Sequence, residues 1–296
     1  MTVPIIDAHH HIWQQADLPW LSGPIVPRIF GPYESVRRDY PIKEYLADIA
    51  GTGVVKSVYV QANWAPAQAE DEVAFVEQAA KETGWPHAIV GYANLLDDDV
   101  RPTLDRLKTH SLVRGIRMQL HWHANEQYRF ARRPDLVDNA TFRRNFSALA
   151  DYGFSFDLQV FADQMVGAAR LAADFPQTTF ILQHAGMLED LSDAGRVVWR
   201  QAMQVLGTQP NVVSKLSALG TFIHRNDPAH IAWVVKETVA IFGADRCLFG
   251  SNFPIEKIWT DYRPLIEAYR AALEGYSESE QCAILHDNAA RVYRIG

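Results

Sequence analysis

The chain has 296 residues, 48% of them hydrophobic and 21% charged, with a formal net charge of -7. That profile is globular, long enough for a barrel-sized domain, and acidic enough to argue against a nucleic-acid-binding surface. Cys247 and Cys282 make no disulfide framework, and no apolar run approaches a membrane span, so a cytoplasmic protein is expected.

Apolar runs suited to buried parallel strands recur along the chain, with helical patterns between them. The first, residues 3–8, runs into Asp7-Ala-His-His-His11. Side chains alternate along a strand, so His9 and His11 share a face at its end, where two imidazoles can share a metal ion or a water. Strict alternation puts Asp7 on that face too, where it could orient a histidine; an irregular strand would turn it away. Residues 13–41 form a long loop carrying Trp13, Trp20 and several prolines, a candidate cover for a substrate. A helix is predicted at 42–50, behind Pro41. The second strand, 54–61, ends on Gln61, ahead of Asn63 and Trp64, and a helix follows at 72–83. The third strand is 87–93. The fourth, 115–120, carries Arg117 and Gln119 and leads into His121-Trp122-His123. A helix at 141–152 precedes the fifth strand, 154–160, which carries Gln159. A helix at 164–175 precedes the sixth, 178–183, and His184 follows it directly. After a helix at 197–206, the seventh strand, 212–216, brings Lys215 and Ser217. After a helix at 231–242, the eighth, 246–250, brings Ser251 and Asn252. A helix at 264–273 and a closing helical segment at about 277–295 follow.

Eight such units predict an α/β fold, a single (β/α)8 TIM barrel over residues 1–296. A doubly wound sheet would favour a glycine-rich first turn; three histidines stand there, and neither nucleotide-binding glycine fingerprint occurs. Barrel enzymes carry their chemistry at the C-terminal ends of the strands. The expected catalytic groups are therefore His9, His11, His184 and Asn252. Arg117, Gln61, Trp13, His121 and His123 are the expected substrate-binding groups. Arg129, Arg132 and Arg133 lie beside them in sequence, which suits a small anionic substrate.

Taken together, DAHHHIW, VVKSVYVQANW, GIRMQLHW, FILQHAGM, VVSKLSALG, CLFGSNFP and HDNAARVYRI resemble the amidohydrolase superfamily. Within it they resemble the lactonase branch that holds L-fuconolactonase and the 2-pyrone-4,6-dicarboxylate lactonases. The resemblance implies a TIM barrel and hydrolysis of an ester, lactone or amide-like bond. His9 and His11 match the family's paired first-strand histidines, His184 its sixth-strand histidine, and Arg117 an arginine placed near the substrate. Two positions depart from the pattern. Asn252 stands where the family usually has an aspartate that serves as metal ligand and base, and an amide cannot take a proton at neutral pH. Gln159 stands where related decarboxylases carry a histidine. No lysine or glutamate suited to bridging two metals ends the fourth strand, so a binuclear centre is not expected. Two states stay open: one divalent ion, zinc or manganese, on His9, His11 and His184, or no metal at all. The base is open as well, between His184, His121, His123 and a metal-bound hydroxide. The expected function is hydrolysis of a sugar-acid or dicarboxylate lactone by a monomer or homodimer. The alternatives are a non-catalytic barrel that binds a small anion or sugar acid, and a metal-dependent amidohydrolase or decarboxylase of the same superfamily.

Overall fold

In the computed structural model, which describes residues 3–296, eight parallel strands form one sheet in the order β1 to β8. They are β1 (Ile5–His10), β2 (Val54–Val60), β3 (Ala88–Gly91), β4 (Val113–Ile116), β5 (Ser155–Leu158), β6 (Phe180–Leu182), β7 (Val212–Leu216) and β8 (Cys247–Phe249). The seam between β8 and β1 is closed by the Asn252 N–H donating to the His9 carbonyl (2.7 Å) and the His11 N–H to the Phe253 carbonyl (2.8 Å). This is a (β/α)8 TIM barrel. β4 begins earlier than the sequence suggested and stops at Ile116, so Arg117 already lies in the irregular chain above it. The predicted helix at 141–152 is two helices, Ala140–Phe146 and Leu149–Tyr152. A helix at Arg101–Thr109, between β3 and β4, was not expected. It buries only Leu104 and Leu107, too few apolar positions to show a period.

Alternation along the strands sorts side chains into two layers. Tyr59, Ile89, Phe156 and Phe249 pack outward against the helices. Ile6, Val58, Val90, Ile181, Val213 and Leu248 pack inward and fill the lower barrel. Ala289, Val292, Tyr293 and Ile295 join that inner cluster from the C-terminal segment. Ser277 opens the segment with a reciprocal cap, its Oγ accepting from the Glu280 N–H and its own N–H donating to Glu280 Oε2. Asn288 Nδ2 then donates to the carbonyls of Ala244 (2.8 Å) and Cys247 (2.7 Å), which ties the segment to β8. Each large apolar side chain buried here contributes about 1.5–3 kcal/mol. The lower barrel is thus filled, and the polar groups collect at the upper end.

Candidate active site

A bulge in β1 sets the geometry. Asp7 pairs with Ser57, but the next pairing is His10 with Tyr59, so β1 spends one residue more than β2 between the two contacts. Ile5 and Asp7 face the helices, Ile6 and Ala8 face the lumen, and after the bulge His9 and His11 face the lumen as well. The strict alternation that put Asp7 beside the imidazoles therefore does not hold. Asp7 instead accepts five hydrogen bonds: from the N–H of His9 (3.1 Å), the N–H and Oγ of Ser251 (2.8 and 2.6 Å), and the hydroxyls of Tyr45 (2.9 Å) and Tyr262 (3.0 Å). Burial pushes its carboxyl pKa up, and those donors oppose the shift. Asp7 clasps β1 to the turn after β8 and to two helices. His10 turns outward and stacks on Tyr45 with ring centroids 3.9 Å apart. Burial lowers its pKa to about 3.

The three remaining histidines converge. The His9 ring centroid lies 5.0 Å from that of His11 and 4.9 Å from that of His184. His11 Nδ1 sits 2.7 Å from the Val60 carbonyl. A carbonyl only accepts, so Nδ1 carries the proton of the neutral ring and Nε2 keeps its lone pair. His184 Nδ1 lies 2.8 Å from Ser217 Oγ. The Ser217 hydroxyl has no other partner among the described residues and is fully buried, so it donates to Nδ1 and leaves the ring proton on Nε2. Both His9 nitrogens are buried without a partner. All three pKa values are held well below the usual histidine value, by burial first and then by nearby cations, Lys215 and Arg117 for His9 and His184 and Arg117 for His11. The site therefore holds neutral imidazoles. His184, Ala185, Gly186 and Met187 all have positive φ, so β6 ends in a left-handed turn that throws the His184 ring across the lumen.

Arg117 rises beside them, 3% exposed, and a guanidinium nitrogen donates to the Gln61 carbonyl. Burial lowers its pKa to about 10, which leaves it charged at neutral pH. Below, Lys215 and Asp157 form a fully buried ion pair at 2.9 Å, and Gln183 Nε2 donates to the same Asp157 oxygen (2.8 Å). The pocket above is lined by His11, His184, Arg117, Asn252, Gln119 and Gln159, under Trp13, Trp20, Arg28, Phe30 and Phe222. Among the described residues no acidic side chain lines it.

The structure brings His9, His11, His184, Asn252, Arg117 and Trp13 together. Trp13 Nε1 donates to the Arg38 carbonyl (2.8 Å), and its ring lies 6.2 Å from that of His11. The other three expected groups lie elsewhere. Gln61 turns its Oε1 onto the Asn63 N–H (2.7 Å) and supports Arg117 through its own carbonyl. His121 lines an adjoining groove, packed on Phe130 and Phe161. His123 lies at the rim between Tyr128 and Phe161, 3.7 Å from Glu189. Arg28, Asn63, Thr221 and Phe222 line the pocket and were not marked as site residues. They come from loops beyond the strand ends. The left-handed φ of Asn63 (65°) is not visible in sequence.

For a metal, the donor chemistry suits one ion only in part. His9 offers unpartnered nitrogens and His11 a free Nε2. Yet among the described residues no group of three or more His, Cys, Asp or Glu side chains is arranged to hold a metal ion. No step below is routed through one.

Sequence and structure comparisons agree on the family. The amidohydrolase family model matches residues 6–295, and the chain belongs to that family. It is 36% identical, over 99% of both chains, to an uncharacterized protein, y4mH, of Sinorhizobium fredii. It is 28% identical to L-fucono-1,5-lactonase of Burkholderia multivorans, over 98% of this chain and 96% of the other. A crystal structure of a Burkholderia multivorans amidohydrolase with bound zinc superposes with a TM-score of 0.82 at 26% identity, covering 99% of this chain and 100% of that one. Members of this family are commonly metal-dependent. The protein is a lactonase-like hydrolase, and no helix among its described residues is long and apolar enough to cross a membrane.

Proposed function

We propose that this protein hydrolyses a lactone that bears an acid group, such as a sugar-acid or dicarboxylate lactone. The observation that carries the reading is three neutral imidazoles meeting beside a buried arginine in a pocket without a carboxylate. A water held by His11 attacks the lactone carbonyl carbon, and its proton passes to the His11 Nε2 lone pair. The oxyanion that forms is met by His184 Nε2–H and the Arg117 guanidinium. The ring C–O bond then breaks, and the leaving alkoxide takes the proton back from His11 Nε2. The product is a hydroxy acid. Arg117 and Arg28 bind the substrate's own carboxylate, since no protein carboxylate in the pocket competes for them. A divalent ion, zinc or manganese, would find its donors in His9 and the His11 Nε2 and when bound would polarise the carbonyl; His184, expected as a third ligand, has Nδ1 engaged by Ser217 and a proton on Nε2.

The test is a pH-indicator hydrolysis assay on neutral sugar lactones and on acid-bearing lactones, with and without chelator. Turnover of an acid-bearing lactone supports the reading. Survival of that turnover under chelation assigns the chemistry to the histidines and Arg117 alone. Loss that zinc or manganese restores assigns an ion to the imidazoles. An inactive protein that sugar acids stabilise against heat would overturn hydrolysis in favour of a binding barrel.

A further inference from the structure

A second cavity adjoins the pocket over the imidazoles. That pocket measures about 90 Å³ and the adjoining groove about 300 Å³, and Arg28, Phe30, Asn63, Gln119 and Gln159 stand on the wall that both share. The groove lies between the long loop after β1 and the chain that follows β4, and both sides are tied down. The N–H groups of Phe130 and Ala131 donate to the His121 carbonyl (3.0 Å each), and Gln127 Nε2 donates to the Arg28 carbonyl (3.0 Å). The polar atoms on its buried wall are unmatched. His121 is 5% exposed and Gln159 3%, and among the described residues His121 Nδ1, Gln159 Oε1 and Gln119 Oε1 are buried without a partner. Gln159 Nε2 reaches only the Met187 sulfur (3.4 Å). The charged groups bordering the groove are engaged elsewhere. Arg129 donates to the carbonyls of His123 (3.0 Å) and Ala124 (3.1 Å) and lies 5.1 Å from the Trp122 ring centroid, and the Glu126 side chain is 89% exposed.

A wall of this kind selects its ligand. Buried polar atoms call for hydrogen-bond partners, and two amides and an imidazole carry no net charge to balance. A carboxylate only accepts and cannot pair with the two amide oxygens. A hydroxyl both donates and accepts, so it suits either tautomer of His121 and either setting of each amide. Phe130, half exposed, and Tyr128 add aromatic faces on which the C–H face of a ring can pack. About 300 Å³ is room for one ring, at the lower end of small-molecule sites. We propose that this groove is a second substrate subsite, which takes a neutral sugar ring carried by the lactone. The lactone carbonyl then sits over the imidazoles, and the attached ring crosses the wall of Gln119 and Gln159 to reach His121 and Phe130. The coupling to turnover rests on the lactonase reading; the binding of the ring does not.

The test compares gluconate with maltobionate, cellobionate and lactobionate, which each add one hexose ring to it. Binding is measured by calorimetry, and hydrolysis is measured on the corresponding 1,5-lactones. The proteins are the wild type, His121→Phe and Phe130→Ala, with Tm recorded for each. For the wild type, at least one of the three larger acids should bind about tenfold more tightly than gluconate, the worth of two neutral hydrogen bonds. Its lactone should show a similar gain in kcat/KM, carried by KM. In each variant the gain should shrink to about threefold or less, as one contact is lost, with gluconate binding and gluconolactone turnover unchanged. No gain for any of the larger ligands, in binding and in hydrolysis, overturns the subsite. A gain that both variants keep in full overturns it as well. A wild type that prefers a larger acid yet hydrolyses neither these lactones nor acid-bearing ones refutes the lactonase reading and leaves the subsite standing.

Discussion

Arg28 sits in the long loop after β1, its guanidinium 5.2 Å from the Trp20 ring centroid and 5.8 Å from that of Tyr33. No acidic side chain among the described residues pairs with it within 4.0 Å, and its Nε is buried without a partner. The cation is held by aromatic faces and directed at the pocket. Replacing it with alanine removes an attraction to the two rings of about 0.5–2 kcal/mol in total, so the fold should survive. A charge-assisted hydrogen bond to a bound carboxylate contributes about 1.5–3 kcal/mol, so Arg28→Ala should raise KM for an acid-bearing lactone about 10- to 150-fold. A neutral sugar lactone should lose less than about threefold. Arg28→Lys keeps the charge but not the planar fork and should fall between. The assay is hydrolysis of both substrates by each variant, with Tm recorded alongside. Equal losses on the charged and the neutral lactone would refute the argument, because they would assign Arg28 to shaping the loop and not to reading charge.

His184→Asn should lower turnover by about 10²–10⁴-fold with Tm nearly unchanged, since asparagine tolerates the left-handed backbone at this position; retained activity would remove His184 from the mechanism. Asp7→Ala should cost at least about 3 kcal/mol, because two tyrosine hydroxyls and two Ser251 donors lose a buried acceptor; thermal melting would show a fall of about 6 °C or more. His10 and His121 both titrate near about 3 in the folded protein, against about 6.5 unfolded. The unfolded chain therefore binds two protons that the folded one refuses in that window. Stability falls as pH drops below 6.5, by up to about 1.4 kcal/mol per pH unit per ring. His10→Phe keeps the stack on Tyr45 and should flatten the decline in Tm between pH 6 and 4; an unchanged slope would contradict it.

The barrel could be read from the sequence because its eight strands are short and apolar with helical patterns between them, and because alternation makes each one a two-faced object. His9, His11 and His184 were legible for the same reason, as polar residues at strand ends. The bulge was not. Nothing in Asp7-Ala-His-His-His11 marks where the extra residue falls, and one slipped residue moved Asp7 from the lumen to the helices. His121 follows the strand-end rule in sequence, yet β4 stops five residues earlier, and the intervening chain carries the ring into the adjoining groove. Arg28, Thr221 and Phe222 were out of reach for another reason. Each enters the site from a loop, and loop direction depends on contacts such as Gln127 Nε2 donating to the Arg28 carbonyl (3.0 Å), which join segments far apart in sequence.

The inner cluster has a consequence for synthesis. Ala289, Val292, Tyr293 and Ile295 pack on side chains from β1, β2, β3, β6, β7 and β8, and the seam of the barrel also waits for Phe253. A ribosome-bound chain that has released seven strands still has an open sheet and an apolar lumen exposed to water. Closure of the barrel therefore waits until residues 289–295 have left the ribosome. Shortening the last two turns should burden chaperones and lower yield long before it alters any group that touches the substrate.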